Sequence, residues 1–246
     1  MCALGAGLIG AAPQPVSLAG SGWIIVAIDG AALETAPVDG VDHRPHLRFA
    51  QRSYSGHAGC NALGGLFVQR STRVYTYPGP QTAMGCGGRR AAQEAALDAV
   101  MRAAPTITRA GEQLTLSAVG RRIDLHREPT LTAIGDPPSA WQGASLAGQR
   151  FEMHSVDGAS LSRRPAPLLT FTRTGVTIAN VCARPVTGHY IQRPATLRVE
   201  WRNGACLGAR TPAGALGMVS GPNGELLLAG DGHWWAGDNL RRDRPK

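Results

Sequence analysis

Apolar residues along this chain come in short runs, many alternating with polar neighbours and each halted by glycine, proline or an Asp-Gly pair. Trp23-Ile24-Ile25-Val26-Ala27-Ile28 predicts a buried strand stopped by a turn at Asp29-Gly30. Residues 46–49, 66–68 and 73–77 predict three more strands, the last ended by Pro78-Gly79-Pro80. One stretch has a helical period. Within residues 89–103, Leu97, Val100 and Met101 share a face while Glu94 and Asp98 lie opposite, and Pro105 ends the pattern. Strand alternation resumes at 106–109, 113–117 and 121–125. Residues 128–144, with Asp136-Pro137-Pro138, read as a linker. A second series then runs through 151–156, 168–171, 176–179, 190–192 and 196–201. Residues 211–218, rich in glycine and alanine, read as a short and poor helix. A strand at 225–228 and the pair Trp234-Trp235 complete the series.

The two series share words as well as order. Ser17-Leu18-Ala19-Gly20 returns as Ser145-Leu146-Ala147-Gly148, and Asp29-Gly30-Ala31-x-Leu33 as Asp157-Gly158-Ala159-x-Leu161. Gly65-x-Phe67-Val68-Gln69-Arg70 returns as Gly188-x-Tyr190-Ile191-Gln192-Arg193. So long a period means two tandem domains rather than a solenoid. The organisation read from it is a leader or linker at 1–16, a first domain at 17–127, a linker at 128–144, a second, shorter domain at 145–240 and a basic tail at 241–246. The fold class is α+β, mainly antiparallel β. Each unit is a strongly curved or partly open barrel with about one helix, the second helix short or lost.

Composition adds little to the fold and more to the surroundings. The apolar content of 43% and mean hydropathy of −0.11 describe a globular protein, and no stretch has the apolar length of a membrane-spanning helix. The net charge is +8. Lys246 is the sole lysine, so the basic residues are almost all arginines. The excess points either to a polyanion partner, nucleic acid or anionic envelope lipid, or to compositional bias with arginines spread over solvated faces. Their scatter in ones and twos without a dense stripe favours the second, and no nucleic-acid partner is expected.

Five cysteines leave one unpaired: Cys60 and Cys86 in the first copy, Cys182 and Cys206 in the second, and Cys2. The two within each copy are spaced almost alike although the flanking sequence has diverged. One disulfide per domain explains this most simply and implies an oxidising compartment. Four reduced, buried thiols are the alternative. Zinc is a weaker rival, because no paired metal-ligand spacing accompanies the cysteines and His57 is the nearest further ligand. Cys2 is read either as the lipid-bearing first residue of a trimmed lipoprotein, attaching the chain to a membrane, or as part of an ordinary N-terminus.

The first copy resembles the META/HslJ-like domain. The resemblance rests on Leu18-x-Gly20-x-x-Trp23, Pro45-x-Leu47-x-Phe49, Gly59-Cys60-Asn61 followed by Gly65-x-Phe67, and Thr82-x-Met84-x-Cys86. Glu94-x-x-Leu97 and Leu114-x-Leu116 complete it. The second copy keeps the opening and the Leu-x-Phe strand, has Val181-Cys182-Ala183 and Gly204-Ala205-Cys206, and looks like a diverged repeat. The resemblance implies a small bacterial envelope or secreted protein, often a lipoprotein, linked to stress response and drug tolerance without an agreed activity. It also implies a cracked barrel similar to that of type III secretin pilotins.

Candidate catalytic residues are few. Cys60 with His57 as base would need two side chains that a strand points apart, and a disulfide would silence the thiol. Asp29 and Asp157 each precede glycine and read as turn residues. Asn61 reads as a turn cap, and Ala183 at its place in the second copy argues against a shared catalytic duty. Gly85-Cys86-Gly87-Gly88 lacks the lysine and hydroxyl of a phosphate loop. The expectation is therefore a non-catalytic ligand-binding or stress-protective module without cofactor or metal, in the periplasm or lipid-anchored at the outer membrane of a Gram-negative bacterium. Its partner would be a small apolar ligand or an envelope protein, bound in a barrel crack or between the domains. The alternative is a lipoprotein scaffold or pilot for an outer-membrane partner, and a hydrolase comes last.

Overall fold

A computed structural model describes residues 16–35, 44–131 and 145–240, apart from 163, 209, 210, 212, 213, 222, 223 and 231. In the first half β1 (Ser21–Ile28), β2 (Ala31–Ala32), β3 (His46–Phe49), β4 (Ser53–His57), β5 (Ala62–Arg70) and β6 (Arg73–Pro78) precede the helix α1 (Gly88–Arg102). After it come β7 (Thr106–Ala110), β8 (Gln113–Ala118) and β9 (Arg121–Arg127). Neighbouring strands pair antiparallel and β9 returns to β1, so eight strands close a barrel with the two-residue β2 left at its rim. Eight strands enclose a space that side chains can fill. Trp23, Phe49, Leu97, Met101, Leu114, Leu116 and Ile123 fill it.

The second half repeats the order with β10 (Arg150–Val156), β11 (Ala159–Ser160), β12 (Leu168–Phe171), β13 (Gly175–Ala179), β14 (Val186–Arg193) and β15 (Thr196–Arg202). It ends with β16 (Gly214–Ser220), β17 (Glu225–Gly230) and β18 (His233–Asn239), which pairs back with β10. Even the irregularities repeat. Pairing of the first strand with the last shifts register between Ile25 and Ala27 in one barrel and between Met153 and Ser155 in the other.

The expected crack is present in the first barrel, at the seam beside the helix. In the first barrel β6 and β7 meet at one residue pair, Arg73 with Thr106, and α1 covers the rest of that seam. The helix buries Gln93, Ala96, Leu97, Val100 and Met101, and the Thr76 hydroxyl donates to Met101 O at 2.8 Å. In the second barrel four residue pairs join β15 to β16, and the helix is gone. A 3-10 turn at Gly204–Leu207 stands in the connection, and β16 occupies most of the segment read as a poor helix. A β-strand needs no local propensity when its neighbours supply both ladders and burial.

The words shared by the two halves meet in space. The Leu18 N–H donates to Gln69 Oε1 at 2.9 Å, and the Leu146 N–H to Gln192 Oε1 at 2.8 Å. In each copy the glutamine of the hairpin thus fixes a leucine that is buried in the barrel's core.

The barrels do not stand apart. Leu66, Val68, Tyr75 and Ala104 of the first pack against Val219, Leu227, Ala229, Trp234 and Ala236 of the second in one buried apolar cluster. Trp234 and Trp235 point to opposite faces of β18, so Trp234 joins this cluster and Trp235 the core of the second barrel. The close approach requires glycine at two points. A Cβ on Gly217 would overlap Val68 Cγ1, and one on Gly158 would overlap Arg102 O at the end of α1.

Candidate functional site

The residues singled out by the family motif converge behind α1. Asn61, almost fully buried, donates from Nδ2 to Met84 O at 3.2 Å and to Glu94 Oε1 at 3.1 Å. Its Oδ1 accepts from the Met84 N–H at 2.6 Å and from the Thr82 hydroxyl at 3.1 Å. The Asn61 N–H donates to Glu94 Oε2 at 3.0 Å, and the Ala62 N–H to Thr82 Oγ1 at 2.8 Å. Gly59, with φ +108°, makes the turn that aims this cluster. Cys60 and Cys86 close it covalently, their Cα atoms 6.2 Å apart. Every polar atom of the Asn61 amide is committed to holding the β4–β5 turn, the loop and the helix together. The motif is therefore a clip.

The second disulfide, Cys182–Cys206, spans 6.0 Å between Cα atoms and ties the β13–β14 loop to the 3-10 turn. Ala183, in the place of Asn61, is exposed and has no such network. Cys2 lies outside the described residues. Disulfides in both halves are the chemistry of an oxidising, non-cytoplasmic compartment.

The other candidates are occupied as well. With Cys60 in a disulfide, His57 accepts the Gly59 N–H on Nδ1 at 3.1 Å, and its ring lies edge-on to His46, 4.6 Å between centroids. Asp29 Oδ1 accepts the Arg122 N–H at 2.8 Å, and Asp157 Oδ1 accepts the Trp234 N–H at 3.0 Å. Both aspartates, at φ 53°, and the glycines after them adopt positive φ, so the repeated Asp-Gly is a hairpin turn that also pins the last strand. Burial pushes the Tyr54 and Tyr77 hydroxyls well above the usual phenol range, and Asp98 and Asp238 respectively add to this. Among the described residues no group of three or more His, Cys, Asp or Glu is placed to hold a metal. No helix among them is long and apolar enough to cross a membrane.

Among the described residues, the roomier hollows lie outside the barrel cores. The second barrel holds a cavity of about 10 Å³ lined by Phe171, Trp201, Leu216 and Trp235, about one water's worth. Between the barrels runs a groove of about 710 Å³. Its walls are Val16, Ser17, Phe67, Val68, Gln69 and Arg70 on one side and Ala195, Thr196, Gly217, Met218 and Val219 on the other, with Gln51 and Arg52 at the rim. A smaller hollow of about 370 Å³ lies beside Ser145, Arg173, Tyr190, Gln192, Arg193 and Pro194.

Sequence reasoning named the space between the domains without the residues that line it. A signal for the contact that brings the groove walls together, though not for the walls themselves, existed in Leu226-Leu227-Leu228-Ala229 and Trp234-Trp235-Ala236. Neither run alternates, and strands buried on both faces read as continuous apolar runs.

Residues 16–130 match the META domain family. No curated protein matches the chain. Among solved structures, an NMR structure of a protein from Burkholderia xenovorans is 21% identical, covers 52% of this chain and 99% of its own, and has a TM-score of 0.36. A second NMR structure is 14% identical, covers 49% of this chain and 100% of its own, and has a TM-score of 0.40. Neither likeness carries functional weight.

Proposed function

From a chain whose residues 16–130 form a META domain and whose second barrel repeats the same strand order, we propose a non-catalytic binding module of the bacterial envelope that holds its ligand in the inter-barrel groove. One contrast carries the reading: the groove offers about 710 Å³ while the cavity in the second barrel offers about 10 Å³. Ligand sites favour such concave junctions between domains, in this size range. The walls are amphipathic, with Phe67, Val68, Met218 and Val219 beside Ser17, Gln69 and Thr196. Commitment of Cys60 to a disulfide and of both turn aspartates to backbone N–H groups supports a non-catalytic role. The disulfides support export to the periplasm, and a lipid on Cys2 would hold the protein at the outer membrane. Docking of an envelope partner along a strand edge is less favoured, because among the described residues the strands close into barrels with the two-residue β2 and β11 at their rims and α1 over the β6–β7 seam.

Native mass spectrometry of protein purified from its own envelope tests the reading. The wild type should retain an added mass, and Ala195→Trp, which fills the groove from an exposed position, should lose it at unchanged melting temperature. A mass retained equally by both would move the site elsewhere, and none in either would remove the binding role.

A further inference from the structure

The groove and the smaller hollow are the same place in the two copies. Ser17, Phe67, Gln69 and Arg70 line the first, and their repeat counterparts Ser145, Tyr190, Gln192 and Arg193 line the second. Each receives a second arginine from the turn between the same two strands, Arg52 before β4 and Arg173 before β13. Neither lining contains an aspartate or glutamate. No carboxylate among the described residues pairs with Arg70, Arg173 or Arg193. The stem of Arg70 runs close to Gly217, where an added Cβ would stand 3.3 Å from its Cδ. The two hollows flank one turn: Arg193 and Pro194 line one side, Ala195 and Thr196 the other.

We infer that the repeat carries a duplicated two-arginine anion site, and that the groove ligand is a phosphate-bearing polyanion whose charged groups sit on both sides of the β14–β15 turn. A guanidinium presents parallel donors that match phosphate oxygens, and Arg70 in one hollow and Arg173 with Arg193 in the other can turn them to an anion, with Arg52 adding positive charge beside Arg70. Two such sites beside one turn make the second contact intramolecular, so an oligophosphate should bind far more tightly than orthophosphate. The sequence raised an anionic partner from its arginine excess, but the scatter of arginines along the chain concealed their pairing. Arg52 and Arg70 are brought together by the β4–β5 pairing, and Arg173 and Arg193 by β13–β14.

The inference rests on the groove as the binding site, and the experiment separates the two. Calorimetric titration with tripolyphosphate and with orthophosphate is run on the wild type, on Arg70→Gln, on Arg193→Gln and on a charge control, Arg89→Gln with Arg122→Gln. A parallel arm measures co-sedimentation with phosphatidylglycerol and phosphatidylcholine vesicles. Tripolyphosphate should bind more tightly than orthophosphate, Arg70→Gln in the groove and Arg193→Gln in the smaller hollow should each weaken it about tenfold, and the control should change it little. Vesicle binding lost in the same variants, without tripolyphosphate binding, would assign the phosphate to a lipid headgroup. Equal weakening in the control, or no binding in either arm, overturns the anion site. A neutral ligand retained by the wild type and lost in Ala195→Trp would then leave the groove standing without it.

Discussion

The ring of Tyr75 in the first barrel lies 5.4 Å from that of Trp234 in the second, centroid to centroid, tilted by 59°. This pair anchors a buried apolar interface that adjoins the groove. Inter-domain motion is the default for tandem domains unless the interface is large and hydrophobic. Here the interface fixes the distance between the groove walls. Tyr77 adds a polar contact, donating its hydroxyl to Asp238 Oδ1 at 3.1 Å.

Trp234→Ala should therefore cost about 3–5 kcal/mol and uncouple the barrels. Calorimetry should show one unfolding transition in the wild type and two in the variant. Trp235→Ala removes a side chain of similar size from the core of the second barrel and should lower that barrel's stability without releasing the first. A single cooperative transition in Trp234→Ala would contradict the fixed interface.

Asn61→Ala should destabilise the first barrel by about 2–3 kcal/mol, because Glu94 loses the Nδ2 donor and the Met84 backbone loses both amide partners, while the residue-61 N–H still reaches Glu94. Urea unfolding measures this. The mirror substitution Ala183→Asn, at an exposed position, should change stability by less than about 0.5 kcal/mol.

Each disulfide closes a loop, with sequence separations of 26 and 24 residues. Replacing either pair with serines should cost about 3–4 kcal/mol by loop entropy, and the two losses should add because the bridges share no partners. Denaturant titration of the single and combined variants checks both the size and the sum.

His46 gives the first barrel a pH dependence of known sign. Burial lowers its pKa below the ordinary 6.5, the Arg44 and Arg48 charges lower it further, and a bond to Arg44 O opposes them. The unfolded chain then binds the proton more readily than the folded one, so stability is complete above 6.5 and falls as pH drops from 6.5 toward the lower folded value. His46→Gln should flatten that slope between about pH 7 and 5 in urea unfolding.

Local chemistry made much of the fold legible. The Asp-Gly turns, the proline stops and the amphipathic α1 each state their structure within a few residues, and the repeated cysteine spacing anticipated one bridge per copy. What escaped depends on neighbours. β4 is Ser53-Tyr54-Ser55-Gly56-His57, with one apolar side chain, and is a strand because β3 and β5 pair with it on both sides. Its Gly56 lies where a Cβ would overlap His46 O, a requirement no single strand announces. β16 has the composition of a weak helix and becomes a strand between β15 and β17. The Asn61 clip was legible as a motif but not as a network, because Thr82, Met84 and Glu94 reach it only when the barrel closes. The groove belongs to the pairing of two barrels, and one barrel's pattern contains half of it.

The most direct measurement of the central claim is an amide chemical-shift map of the isotope-labelled protein titrated with extract of its own envelope. The groove account predicts shifts concentrated at Val68, Gln69, Arg70, Thr196, Gly217 and Met218, with the barrel interiors silent. Shifts centred on Phe171 and Leu216 inside the second barrel, shifts along β2 or β11, or no shifts at all would contradict it.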